Sequence, residues 1–263
     1  KPVQQEALLN LNQKRIDGIN KTTIIAATGL GKTYLAAFDF KQSGYSNILF
    51  IAHRENILLK ARTTFSKVMG QEGFGEILSG TTKPQKLDSA ALPKTSLFAM
   101  IQSLSQESYL NQLPSDYFDY VVIDEFHHAE AASYQKVLEK LNPKFMLGLT
   151  ATPERMDGRD VLRFCDYDIA YETRLWDAIE KQWLVPFHYY AIYDPTDYSQ
   201  LKWTHQGYVE HELEQVLSHD TRAERIIGNL KLFLPSSGKI KALAFCSSRN
   251  HALYMDKKFN EYK

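Results

Sequence analysis

Ala26-Ala27-Thr28-Gly29-Leu30-Gly31-Lys32-Thr33 is the stretch that decides the fold. It follows the apolar pair Ile24-Ile25 and leads into a helical pattern from Tyr34 to Phe40. Strand, glycine-containing loop and helix, in that order, are the setting that a phosphate-binding loop requires. Glycines let the backbone approach a phosphate with its N–H groups turned inward, and the helix that follows adds the positive end of its dipole there. Thr28, Gly29, Leu30 and Gly31 would form the cradle. Lys32 would reach the outer phosphates of a nucleotide, and the Thr33 hydroxyl would ligate Mg²⁺. The pattern departs from the usual form at its first position, where Ala26 stands in place of glycine.

A second segment supplies what the loop lacks. Tyr120-Val121-Val122-Ile123-Asp124-Glu125 reads as an apolar strand ending in two carboxylates, at the strand edge where open parallel sheets bind ligands. Asp124 is placed to hold Mg²⁺ through water, and Glu125 to orient and deprotonate the attacking water. Loop and carboxylates together predict an ATPase using ATP and Mg²⁺, with Lys32, Asp124 and Glu125 as its catalytic groups. His127-His128 have no nearby cysteine and no third histidine at ligand spacing, which disfavours zinc. His127 is read instead as sensing the γ-phosphate or coupling it to a neighbouring domain.

Short runs rich in β-branched and aromatic residues predict strands over 23–26, 47–52, 96–100, 120–123 and 145–149. None alternates cleanly, as expected for strands buried on both faces of a parallel sheet. Helical spacing falls between them, over 32–42, 55–69 and 131–141, with Gly44, Gly70 and Asn142-Pro143 as stops. Strands alternating with helices predict an α/β, doubly wound domain over residues 1–182. A connecting region, 183–234, would hold an aromatic strand at 187–193. It would continue as helix over 208–233, broken near Ser218-His219-Asp220, with Asp220 or Ser218 as a new cap. The turn Pro235-Ser236-Ser237-Gly238, a strand at 240–245 and a helix at 250–259 look like the opening of another α/β domain over 235–263.

Composition fits a cytoplasmic protein. Hydrophobic residues at 44% and charged residues at 24% are ordinary. No apolar run approaches the roughly 18 residues of a membrane span, and Cys165 and Cys246 offer neither metal spacing nor a disulfide framework. Net charge is zero, yet residues 1–70 carry ten Lys/Arg against four Asp/Glu while residues 120–180 carry seven against twelve. A basic N-terminal half is compatible with a phosphate-binding surface. A chain opening at Lys1 is expected to be a piece of a longer protein. Trp176, Trp183 and Trp203 are read as core rather than as base-stacking residues.

Asp124-Glu125-Phe126-His127 resembles the DExH box of superfamily 2 helicases and translocases, and other blocks follow in that family's order. The resemblance implies a RecA-like domain followed by the start of a second one, and it implies roles. Gln4, in Gln4-Gln5-Glu6-Ala7, would contact adenine. Arg54, in Ile51-Ala52-His53-Arg54, would touch the nucleic-acid backbone, and Gln102, in Ala99-Met100-Ile101-Gln102-Ser103-Leu104, would lie near the strand track. Thr150 and Thr152, in Thr150-Ala151-Thr152-Pro153, would couple hydrolysis to movement. Ser248 and Arg249, in Ala244-Phe245-Cys246-Ser247-Ser248-Arg249, would serve the second domain's nucleic-acid surface. The run 148–155 with 124–128 looks closest to the branch of restriction-enzyme motor subunits and XPB-like repair helicases.

The resemblance thus implies ATP-driven helicase or duplex-DNA translocase activity, without a membrane. A nuclease or specificity subunit or domain would lie outside this chain, as would the family's later motifs and arginine finger. Alternatives are the motor part of a type I/III restriction or phage-defence enzyme, and a P-loop ATPase that does not act on nucleic acid.

Overall fold

A computed structural model describes residues 2–84, 95–154, 160–204, 207–233 and 241–262. The chain divides into two compact units, Lys1–Pro186 and Phe187–Lys263. The first begins with α1 (Pro2–Ile16), β1 (Lys21–Ala26), α2 (Lys32–Ser43), β2 (Ile48–Ala52), α3 (Glu55–Met69) and β3 (Glu76–Leu78). It continues through β4 (Leu97–Met100), the short α4 (Ile101–Leu104) and α5 (Glu107–Leu110), β5 (Tyr120–Asp124) and a 3₁₀ turn, Phe126–His128. It closes with α6 (Ala132–Lys140), β6 (Phe145–Thr150), β7 (Ile169–Thr173) and α7 (Leu175–Glu180). The strands form one seven-stranded sheet in the order β3-β4-β2-β5-β6-β1-β7, and every neighbouring pair is parallel.

Every residue of β2, β5 and β6 is buried, because helices cover both faces and leave no solvated side to alternate towards. Successive side chains still point to opposite faces. Leu49 and Ile51 join Val121, Ile123, Phe126 and Val137 in one core, while Ile48 and Phe50 join Leu11, Phe40, Phe65 and Tyr120 in the other. Burying each such phenylalanine stabilises by on the order of 2 kcal/mol, more than an exposed ion pair such as Lys136–Glu107.

Two strands, β3 and β7, and four helices, α1, α4, α5 and α7, are additional to those the sequence pattern predicts in this unit. β3 has three residues, and β7 lies at a sheet edge with Glu172 exposed, so neither presents a long apolar run. In α1 the buried residues are Val3, Ala7 and Leu11, one per turn on a mostly polar sequence. This helix is fastened along its length: Asn10 donates to the Ala170 carbonyl at 2.9 Å, Lys14 pairs with Asp168 at 2.6 Å, and Arg15 pairs with Asp39.

The second unit holds a two-stranded antiparallel ribbon, β8 (Trp203–Thr204) and β9 (Gly207–Tyr208), and helices α8 (Glu210–Leu217), α9 (Asp220–Phe233) and α10 (Arg249–Glu261). Two sequence expectations are corrected here. Residues 187–193 and 241–245 are not strand. An extended segment becomes a strand only by pairing its backbone, and among the described residues neither has a neighbour in a ladder. The break between α8 and α9 is where the pattern places it, but neither Ser218 nor Asp220 is the cap. The His219 carbonyl accepts from Ala223 N at 3.0 Å, while Asp220, inside the first turn, pairs with Lys258 at 2.9 Å and accepts from the Tyr254 hydroxyl at 2.6 Å. Pro235-Ser236-Ser237-Gly238, Ile240 and Arg155 lie outside the described residues.

Candidate active site

The phosphate loop leaves β1 at Ala26 and enters α2 at Lys32. Gly29 and Gly31 take φ of 89° and 85°, the left-handed region that glycine occupies without steric cost. Gly31 is constrained twice, since a Cβ there would stand 2.7 Å from Gln4 Nε2. That nitrogen donates to the Leu30 and Gly31 carbonyls, both at 3.4 Å, so the α1 side chain rests directly on the loop. Lys32 Nζ folds across it to donate to the Ala26 carbonyl at 2.8 Å. Burial lowers the Lys32 pKa, while the charges of Glu125 and Asp124 pull it upward. The ammonium is therefore within electrostatic reach of both carboxylates.

The sheet order explains this convergence. β5, β6 and β1 are consecutive neighbours, so Asp124, Thr150 and the phosphate loop share one C-terminal rim, where parallel sheets carry their ligands. Asp124 is buried, and its Oδ1 accepts from Glu125 N at 3.1 Å. Its pKa is pushed up to about 6, first by burial and then by the Glu125 charge, with Lys32 opposing. Thr33 and Asp124 are oxygen donors of the kind Mg²⁺ takes together with phosphate oxygens.

At Glu125 the chain turns sharply, with φ 52° and ψ 53°, a left-handed conformation that costs a side-chain-bearing residue free energy. The turn brings His127 Nδ1 to 3.4 Å from Glu125 Oε2 and 3.3 Å from Thr150 Oγ1. Thr152 N donates to the same hydroxyl at 3.2 Å. Glu125, His127, Thr150 and Thr152 are thus one connected group. Phe126, fully buried, lies across β6, where a Cβ on Gly148 would fall 2.7 Å from the ring. Gly148→Ala is expected to destabilise the protein by about 1–3 kcal/mol through overpacking, read as a lowered urea midpoint at unchanged slope.

Arg54 and Gln102 lie further along the same rim, after the adjacent strands β2 and β4. Arg54 is exposed, and its carbonyl accepts from Leu58 N to start α3. Gln102 Nε2 donates to the His53 carbonyl at 3.3 Å. Ser248 and Arg249 belong to the second unit. There Ser248 caps α10 by accepting from His251 N at 3.0 Å, and it donates to Glu214 at 2.8 Å. Arg249 begins that helix, exposed.

Trp176 and Trp203 are 66% and 71% exposed, so the reading of them as core is corrected; only Trp183 packs against the core. Sequence reasoning assigned no role to Gly148, to Leu184, whose Cδ2 would meet a Cβ on Gly29 at 3.5 Å, or to His53 and His128, whose rings touch. The only available signal for the histidines was their position inside the Ile51–Arg54 and Asp124–His128 blocks.

A parallel sheet with a phosphate loop, DExH carboxylates and a threonine-linked histidine at one rim defines a RecA-like domain of the helicase type. Residues 1–155 match the family model for the type III restriction enzyme, res subunit. The chain belongs to that family. A type I restriction enzyme EcoAI endonuclease subunit from Escherichia coli is 25% identical over 260 residues, covering 90% of this chain and 31% of that protein. This chain therefore spans about a third of the length of that relative. Two solved structures share the fold, each at 16% identity. The Hef helicase domain of Pyrococcus furiosus gives a TM-score of 0.53 over 97% of this chain and 52% of its own. A nuclease-deletion mutant of the Type ISP restriction-modification enzyme LlaGI, in complex with a DNA substrate mimic, gives 0.54 over 68% and 20%.

Proposed function

We propose that this chain carries the ATP-binding part of a nucleic-acid-dependent ATPase, an ATP-driven helicase or translocase acting on duplex DNA. The observation that carries the reading is the meeting of Lys32 with Asp124 and Glu125 at one rim of a buried sheet. Lys32 would release the Ala26 carbonyl and take the outer phosphates, Gln4 would meet the adenine beside the loop, and Thr33 and Asp124 would hold Mg²⁺. When bound, Mg²⁺ neutralises the charge that develops during phosphoryl transfer. Glu125 would orient and deprotonate the water, and His127 would pass the state of the pocket to Thr150 and Thr152. Arg54 and Gln102, with Ser248 and Arg249 from the second unit, would meet nucleic acid, mostly at its phosphates.

The same reading takes residues 1–182 as the first motor domain, 183–234 as a connector and 235–263 as the opening of a second domain. Both cysteines are free thiols, which supports a cytoplasmic place. No helix among the described residues is long and apolar enough to cross a membrane. Family membership and the Escherichia coli relative favour, as a second reading, the motor part of a restriction or phage-defence enzyme, with a nuclease or specificity unit outside these residues.

The test is ATPase rate in the whole protein with duplex DNA, single-stranded DNA or RNA added in turn. Duplex DNA is expected to stimulate most, with an affinity that falls steeply and log-linearly with salt and differs little between sequences. Indifference to all three would point to a P-loop ATPase with another substrate.

A further inference from the structure

We propose that His53 and His128 form a positioning pair that links the Glu125 turn to the nucleic-acid-facing ends of β2 and β4; this rests on the function proposed above. The two rings meet edge-on, with centroids 5.0 Å apart at 61°. His128 also packs on His127, at 4.2 Å and 46°, and His127 touches both Glu125 and Thr150. At the other end, the His53 carbonyl accepts the Gln102 side chain, and Arg54 follows directly. An unbroken series of contacts therefore runs from the water-activating carboxylate to two residues assigned to nucleic acid.

The parallel ladder between β2 and β5 is regular from Ile48↔Tyr120 to Ile51↔Ile123, so the strands themselves offer little freedom. Freedom lies in the turns that follow them, and the histidine rings join those turns. His53 Nδ1 is sealed from solvent with no hydrogen-bond partner. Through Nδ1 the ring has no polar anchor, and it packs on His128. A buried polar atom left unsatisfied costs free energy and is retained where function requires it. Glu125, in its left-handed conformation, is the strained element that adjoins the pair. A shift of Arg54 and Gln102 on nucleic acid would move His53, push the His128 ring and re-aim Glu125, so the pair conveys occupancy in both directions.

The experiment uses the whole protein carrying His53→Ala, His128→Ala, both together, and His128→Phe. ATPase is measured without DNA and across a duplex DNA titration, with circular dichroism to confirm the fold. Each alanine variant is expected to keep the DNA-free rate while losing on the order of 5- to 150-fold of its stimulation. The double variant should lose no more than either single one, since the residues act as a unit. His128→Phe, which keeps an aromatic edge, should recover most of the stimulation. Should an alanine variant fail to fold, His53→Asn and His128→Asn read the same loss of stimulation.

Additive losses, an equal fall in DNA-free and stimulated rates, or full stimulation in the variants would overturn the pair and leave the DNA-dependent function standing. A wild-type protein that DNA does not stimulate would overturn that function and the pair with it.

Discussion

Glu125→Gln is expected to leave nucleotide binding intact while lowering kcat of the whole protein by on the order of 10²–10⁴-fold. The substitution preserves size and keeps an oxygen towards the pocket, so the turn at φ 52° and the packing of Phe126 on Gly148 have no cause to change. What it would remove, on the function proposed above, is the group that accepts the water's proton. Lys32→Ala should fail at the other step. It removes the one cation that the loop presents beside Asp124 and Glu125, leaving those carboxylates to repel the phosphates unopposed, so binding itself is expected to be lost. Titration of a fluorescent nucleotide alongside single-turnover hydrolysis separates the two outcomes. Normal turnover in Glu125→Gln would take the water-activating role away from that residue.

The parts of the molecule that sequence reading located are those where one local segment carries the whole signal. The phosphate loop is read from its glycines, and the DExH strand from four buried apolar residues leading into Asp124. Parallel pairing then places both at the same rim, which follows from topology once the strands are known. The elements that escaped depend on neighbours. β7 exists because β1 offers its edge, with a register shift at Thr23/Ile24, and α1 because α2 and β7 hold it. The same dependence accounts for the opposite error at 187–193 and 241–245, where aromatic and β-branched residues suggest strands but no partner edge is present among the described residues. His53 and His128 are legible only in three dimensions, since neither has a local pattern and each is defined by the other's ring. Both histidines stand inside recognised blocks, so resemblance brought attention to the segments without separating the residues that touch one another.

The largest effect on stability is expected at a residue far from the chemistry. Asp39, on α2, is fully buried and receives both terminal nitrogens of Arg15, at 2.7 and 2.8 Å, and the Tyr120 hydroxyl, at 2.7 Å. Tyr120 is stacked between Phe40 and Phe145, with centroids at 5.9 and 5.5 Å, and the Arg15 guanidinium lies 4.9 Å from the Phe145 ring. Burial, followed by the Asp39 charge, raises the Tyr120 pKa well above its usual value, so the phenol stays protonated and donates. Asp39→Ala would strand a guanidinium that is only 13% exposed and leave the phenol without its acceptor. The expected cost is about 3–5 kcal/mol, since removing one partner of a buried pair leaves the other charge uncompensated.

Replacing both partners, Arg15→Met with Asp39→Leu, should recover the part of that loss due to the stranded guanidinium, because no charge then remains buried, while the Tyr120 phenol stays without its acceptor. Urea unfolding of the single and double variants checks the sign and size. A functional consequence follows from the same helix. Arg15 stands at one end of α1 and Gln4 near the other, so loosening the Arg15 end should also loosen the side chain that rests on Gly31. Nucleotide affinity is therefore expected to fall in Asp39→Ala and return in the double replacement. Unchanged affinity in a clearly destabilised Asp39→Ala would mean that Gln4 is held at the loop by its own contacts alone.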